Sequence, residues 1–510
     1  MMFPRHTMLR AGGSVASLAA AIFASGEARA DGFQANPAVV SGTVTFDRTP
    51  ATSETVTIDS PRAVINWAPY DIAGTGPIDL LPAANSILFQ AGSSLGSPQT
   101  TPYFVLNRII PLDPSRSVVF NGTLTDSGTG GGLFFYSPGG IILSPTARFN
   151  VNSLLLSTAD VAVDGAGEFI PGGTSFSVSG TAGSTALIDI QGGAQINAPG
   201  QGSFVVAVAP RINQNGLVNV NGTTVLAAAQ SADFTYNAGL IDVTVTQGTD
   251  ASGNVLTANG STGGPASSGA GDAHRVYLVA IPKNDAVTMF LAPGGNLGFD
   301  IAGAADVVGN AIVLSAGHNV TEATGGTAFA QDPVNATPAT ILGNGNFTSS
   351  ASGRASASIF FNAGAANPLT TASDLFLSAP NVLLGANPGG TLSIGGTLGL
   401  FAIGEGGGTT GTSRTGGTAN FFTSVNATST VNGTVIIDAS GFGDVNSSGA
   451  GSGGNGSGGS AQISVSGGTL TINGSAFVRA NGTGGGNTNG SGAAGNSFGG
   501  KALVFSHDES

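Results

Sequence analysis

Ile394-Gly-Gly396-Thr-Leu-Gly-Leu400, Val431-Asn-Gly433-Thr-Val-Ile-Ile437 and Ile472-Asn-Gly474-Ser-Ala-Phe-Val478 share one layout: an apolar residue, a small turn pair, then an apolar strand. Each is followed by a stretch rich in Gly, Ser, Asn and Thr and by a Gly-Gly-x-Ala entry into a second strand. Those entries are Gly416-Gly417-Thr418-Ala419, Gly458-Gly459-Ser460-Ala461 and Gly499-Gly500-Lys501-Ala502. The period is about 40 residues, the range of stacked repeats. One such unit cannot bury its apolar side alone, and stacking buries it with the strands running parallel. The repeat therefore predicts a β-solenoid, and the handedness of parallel crossovers makes it a right-handed parallel β-helix.

The rest of the chain agrees. From Val39 to Phe46, Val64 to Trp67, Phe104 to Leu106, Leu133 to Tyr136 and Ile141 to Leu143, short runs of β-branched and aromatic residues alternate with Gly, Asn, Pro and Ser. This is strand-and-turn punctuation, with no sustained helical period. The 510 residues include 83 glycines, two lysines and 8% charged residues, yet 41% are hydrophobic. Long helices and acidic disorder are excluded by that mixture. The expected organisation is a leader over 1–30, a β-helix over 31–250, its continuation with loops over 251–380, and a glycine-rich solenoid over 381–510. A few hairpins outside the helix and glycine-rich loops complete the all-β expectation.

Residues 1–30 read as a secretory signal peptide: a basic head with Arg5 and Arg10, a short apolar run from Ala11 to Ala24, and the small-x-small site Ala28-Arg29-Ala30. The apolar run falls short of the roughly 20 residues of a membrane span. The formal charge is −13, and three arginines and one glutamate leave with the leader, so the remainder stands at about −15. Such a surface repels phosphate backbones, which argues against nucleic acid as a partner. There is no cysteine, so disulfides and thiolate metal sites are impossible. A chain that stays unfolded across an oxidising compartment gains from that absence.

Several N-terminal segments carry a resemblance. They are Ala63-Val-Ile65-Asn66-Trp67; Val105-Leu106-Asn107-Arg108-Ile109; Phe120-Asn121-Gly122-Thr123-Leu124; Leu133-Phe-Phe-Tyr136-Ser137-Pro138-Gly139-Gly140-Ile141; Ala147 to Val151; and Leu154 to Thr158. Their order over about 200 residues resembles the N-terminal secretion domain of filamentous-haemagglutinin-like exoproteins, the large partners of two-partner secretion systems. One departure stands out. The family's "NPNG" turn has Ser137 and Gly139 in place of its two asparagines, with Pro138 and Gly140 kept; a tight turn can still form there.

The resemblance implies export by an outer-membrane transporter that captures the unfolded chain with periplasmic domains, and folding into a β-helix on emergence. It implies an adhesin or structural protein, secreted or at the surface of a Gram-negative bacterium, with host or cell-surface glycans or proteins as further partner classes. Asn66, Trp67, Asn107, Arg108 and the Ser137–Gly140 turn are the candidate secretion-motif residues. Replacing Asn107 and Arg108, or the turn, is expected to trap the chain in the periplasm.

No catalytic, cofactor or metal site is expected. Asp272-Ala-His274-Arg275 is the most reactive-looking cluster and reads as a polar turn before the strand Val276 to Ile281. Asp113-Pro-Ser-Arg116 reads as a turn with a local ion pair, and Trp67 as a plug in an early coil. The glycine-rich stretches Ser447 to Ser460 and Asn481 to Gly499 lack the Asp of calcium-binding repeats, and read as flexible loops. The alternatives are a carbohydrate-active β-helix enzyme and a shortened relative of a larger adhesin; Ser506 to Ser510 would otherwise be a minimal cap. One Trp and five Tyr are too few for the aromatic girdles of a membrane barrel.

Overall fold

The structure is a computed structural model that describes residues 31–164, 169, 175–237, 240–264, 273–283, 287–292, 295–299, 308–323, 326–331, 338–448, 451–488 and 492–507. The leader, with Ala28 and Ala30, lies outside the described residues, as do Asp272 and residues 508–510. Among the described residues strands dominate, beside a 3-10 turn at Ser93–Leu95.

The chain winds into a parallel β-helix with three faces. Each coil lays one strand on face A, one on face B and one on face C. The first set is Ser53–Ile58, Arg62–Pro69 and Ile78–Leu81; the final set is Thr469–Ile472, Ala476–Arg479 and Lys501–His507. Face C is a sheet of 13 strands. Successive strands pair in parallel and in register, as in Leu392↔Ser429↔Leu470 on face A and Leu400↔Ile437↔Val478 on face B. The alternation read from the sequence is the inward/outward alternation of these strands. Ser53–Ile58 and Ser358–Ala363 both bury every second residue. One continuous core runs from Phe33 to Ala480.

The N-terminal end departs from the expected single strand over Val39 to Phe46. Two strands, Ala35–Ser41 and Val44–Asp47, pair antiparallel with the first coil. Gly42 breaks the run: its φ is +84°, and a Cβ there would sit 2.4 Å from the Arg62 carbonyl oxygen. The two strands close the end of the solenoid. Beneath them Phe33 and Phe46 meet Trp67 edge-on, with ring centroids 5.0 and 5.7 Å away. The Arg48 guanidinium lies 5.8 Å from the indole and pairs with Asp31 at 2.9 Å and Glu54 at 2.8 Å. Buried charges persist only when paired in this way. Trp67 is fully buried, the coil plug expected from the sequence.

A second layer covers the outer side of face B. Asp160–Val161, Ser175–Ser179, the far half of Leu217–Asn237, Leu240–Gly248, His318–Ala323 and Gly326–Gln331 form an antiparallel sheet outside the helix. It buries the outward residues Leu106, Phe134, Leu155, Val206 and Tyr277 of face B against Phe176, Val178 and Phe234. These face B strands are apolar on both sides because both sides are covered.

His318, on that outer sheet, is buried, and its imidazole is held down to about 4, first by burial and then by the Arg354 charge. A histidine depressed in the folded state contributes stability above its unfolded value of about 6.5, and loses it as pH falls toward the folded value. Between pH 7 and 4.5 the protein is expected to lose about 2–3 kcal/mol more stability than His318→Phe does. Urea unfolding of both at the two pH values measures the difference.

The glycine-rich stretches leave the coil between faces B and C, but in place of the flexible loops expected from the sequence they stack on one another, because their backbones come close enough to hydrogen-bond. Arg414–Thr415, Gly456–Ser457 and Ser497–Phe498 form a parallel ladder, and Gly441–Phe442 pairs with Gly482–Thr483. Backbone bonds such as Gly456 N–H to Asn496 O (2.9 Å) and Asn446 N–H to Gly486 O (2.9 Å) join the layers. Glycine is required by the approach: a Cβ on Gly454 would sit 2.0 Å from the Thr412 carbonyl oxygen. Gly454→Ala is expected to open this side stack while the three faces stay paired. Hydrogen exchange should then speed up in 441–448 and 482–488 and remain slow in Val435–Asp438.

Candidate functional site

The eight secretion-motif candidates lie in the first three coils. Asn66 and Trp67 stand in the second half of the first strand of face B, Arg62–Pro69, and Asn107 and Arg108 in the second half of the next, Tyr103–Ile109, one coil on. Trp67 and Asn107 both point inward. The indole N–H donates to Asn107 Oδ1 at 3.0 Å, so the buried amide exists to satisfy a buried indole. Arg108 points outward: Nε donates to Asp160 Oδ1 at 2.8 Å and Nη2 to the Val161 carbonyl at 3.0 Å. It therefore fastens the outer sheet to the solenoid. Asn66 is half-buried beside Arg108, and its Oδ1 has no hydrogen-bond partner among the described residues.

Ser137-Pro138-Gly139-Gly140 turns the third coil from face B to face C. The Gly140 N–H donates to the Ser137 carbonyl at 3.3 Å, and the Ser137 N–H to the Ser157 carbonyl at 3.0 Å. Gly140 has φ +124°, and a Cβ on Gly139 would lie 2.3 Å from the Arg116 carbonyl oxygen. The turn thus sits on the Asp113–Arg116 turn of the coil before. Pro138 and Gly139 are partly open to solvent, and Ser137 is buried.

The Asp113–Arg116 segment is a turn, with Asp113 Oδ1 accepting from the Ser115 N–H at 3.0 Å. Its ion pair is not local. Arg116 reaches the loop one coil earlier, with Nη2 2.6 Å from Asp71 Oδ2 and Nε 2.8 Å from the Gly76 carbonyl. The bond to Arg116 holds the Asp71 carboxyl below the usual carboxylate range. Ile72, Ile110 and Leu112 are exposed in these same corner segments. Sequence reading passed over them because they sit just beyond strand ends.

Of the Asp272-Ala-His274-Arg275 cluster, His274 and Arg275 lie within the strand Ala273–Ala280 rather than in a turn before it, and both are buried. Arg275–Ala280 pair in register with Thr223–Ala228 of the preceding coil, and Ala273 pairs with Val308 of the following one. Among the described residues, no three His, Asp or Glu side chains are grouped to hold a metal. An open groove of about 570 Å³ at the corner from face A to face B is lined by Phe347, Thr348, Thr370, Thr371, Ala372, Ser393 and Gly395, none ionisable.

No family model matches the sequence, and no curated protein is similar to it. Solved structures similar to the chain include two secretion domains. The HMW1 secretion domain from Haemophilus influenzae shares 16% identity, with 88% of this chain and 100% of that one covered and a TM-score of 0.36. The filamentous hemagglutinin secretion domain shares 13% identity over 72% of this chain and 99% of that one, also with a TM-score of 0.36. The structural neighbours are secretion domains.

Proposed function

We propose that this chain is an exoprotein exported through the outer membrane by a two-partner transporter, and that outside the cell it serves as an adhesin or structural surface protein. The observation that carries the reading is the placement of the motif segments. Those around Trp67, Asn107, Phe120, Ser137, Phe149 and Leu155 lie in the first four coils, which begin beneath the antiparallel cap. Such a body suits folding at the mouth of a pore. The cap and first coil form from residues 31–91 alone, and each further coil adds to the edge left by the one before. Every coil that docks removes apolar side chains from water, at about 1.5–3 kcal/mol for each large aliphatic one. The entropy of ordering the coil offsets much of this, leaving a modest outward bias per step.

Expression in a Gram-negative host with and without a two-partner outer-membrane transporter tests the proposal. Release into the medium is expected only with the transporter, and periplasmic degradation without it. Equal release in both strains would overturn the reading.

A further inference from the structure

The outer sheet covers face B as far as the strand Val308–Ala316, where Val313 is still buried under it. Beyond that point the outward rank of face B continues in register through Ser352, Phe376, Gly399, Ile436 and Phe477. The adjacent outward rank runs through Arg354, Ser378, Phe401, Asp438 and Arg479. Phe376, Phe401 and Ile436 are partly exposed and Phe477 is exposed, so this apolar rank has lost its cover.

At its centre Phe376 and Phe401 stack, with centroids 6.4 Å apart and planes 26° from parallel. Gly399 lies between them. A Cβ there would come within 2.5 Å of the Phe376 ring and 2.6 Å of the Phe401 ring. The missing side chain lets both rings close over the Gly399 backbone. The charges around it are mostly paired: Arg354 with Glu405 at 3.2 Å, and Asp438 stands in register with Arg479, whose guanidinium lies 5.4 Å from the Phe477 ring. Asp374, at the edge of the face, accepts from the Thr397 N–H at 2.6 Å, so two arginines stand against three carboxylates.

We infer that the outer side of face B around Phe376 and Phe401 is a binding platform for a neutral glycan chain. A flat aromatic surface attracts the polarised C–H groups of a sugar ring to its electron-rich face. Ser378, Glu405 and Asp438 beside it supply hydrogen-bonding groups for hydroxyls. Coils spaced about 4.8 Å apart give the platform a length on the order of 15–20 Å, which suits an extended chain of a few sugar units. With no excess of positive charge the face suits a neutral polymer, and the acidic remainder of the molecule repels an anionic one. The inference deepens the adhesive half of the proposed function and is independent of the export half.

The test uses purified full-length chain, titrated calorimetrically with cello-, laminari- and chito-oligosaccharides and with heparin. At least one neutral oligosaccharide is expected to bind. The double variant Phe376→Ala/Phe401→Ala should weaken it about tenfold or more, as should Gly399→Val, which lifts the rings without changing their chemistry. Phe360→Ala, on face C, should leave it unchanged. Circular dichroism and thermal unfolding confirm that each variant is folded. Absence of binding to every neutral probe, binding to heparin alone, or undiminished binding by the double variant overturns the assignment. A dimer that the double variant abolishes gives the platform to a second copy and overturns it as well. Calorimetry on the purified chain reads binding whether or not the chain is secreted.

Discussion

Trp67→Ala should detach the N-terminal cap and cost about 3–5 kcal/mol, the range for deleting a fully buried aromatic. The indole is the contact surface of Phe33 and Phe46 and lies beneath Arg48. It also satisfies the buried amide of Asn107. Its removal leaves a cavity under the two antiparallel strands and an unpaired carbonyl oxygen on Asn107, each unfavourable in its own right. Denaturant unfolding followed by hydrogen exchange should show early exposure of Ala35–Ser41 and Val44–Asp47, with the C-terminal coils unaffected. Asn107→Leu should do less harm, because it keeps the packing and orphans only the indole N–H, at about 1–3 kcal/mol. If both variants refold like the wild type, the cap is not held by this cluster.

Gly139→Ala is the second large effect. The added methyl group would meet backbone, the carbonyl of Arg116 at 2.3 Å, and backbone yields less readily than a side chain. About 2–3 kcal/mol of strain is expected, together with slower refolding in vitro and less protein in the medium. Pro138→Ala serves as its counterpart, since Pro138 is partly exposed and its loss removes no hydrogen bond. Secretion that falls in proportion to refolding makes the turn a folding element. Secretion that falls for Pro138→Ala at unchanged refolding makes it a feature read by the transporter. The same comparison applies to Arg108→Met, which frees Asp160 and the edge of the outer sheet. On the proposed export route the chain is captured unfolded, so burial in the final structure would leave such side chains readable during transit.

Much was legible in the residues themselves. The alternation of apolar and polar positions, the turn residues and the repeat of about 40 residues identified a parallel solenoid with excursions, and Trp67 as a core plug. These are local properties, because period-2 alternation and turn chemistry act within a few residues. Tertiary structure alone decided which strands would be partners. Trp67 finds Asn107 40 residues away and Arg116 finds Asp71 45 away, while Arg108 reaches 52 residues on to Asp160. Coil lengths vary with their loops, so alternation gives the side of a strand that faces in but not the offset at which coils meet. For the same reason the antiparallel cap, the stacking of the glycine-rich stretches and the stacked rings over Gly399 emerge only once the coils are laid one on another.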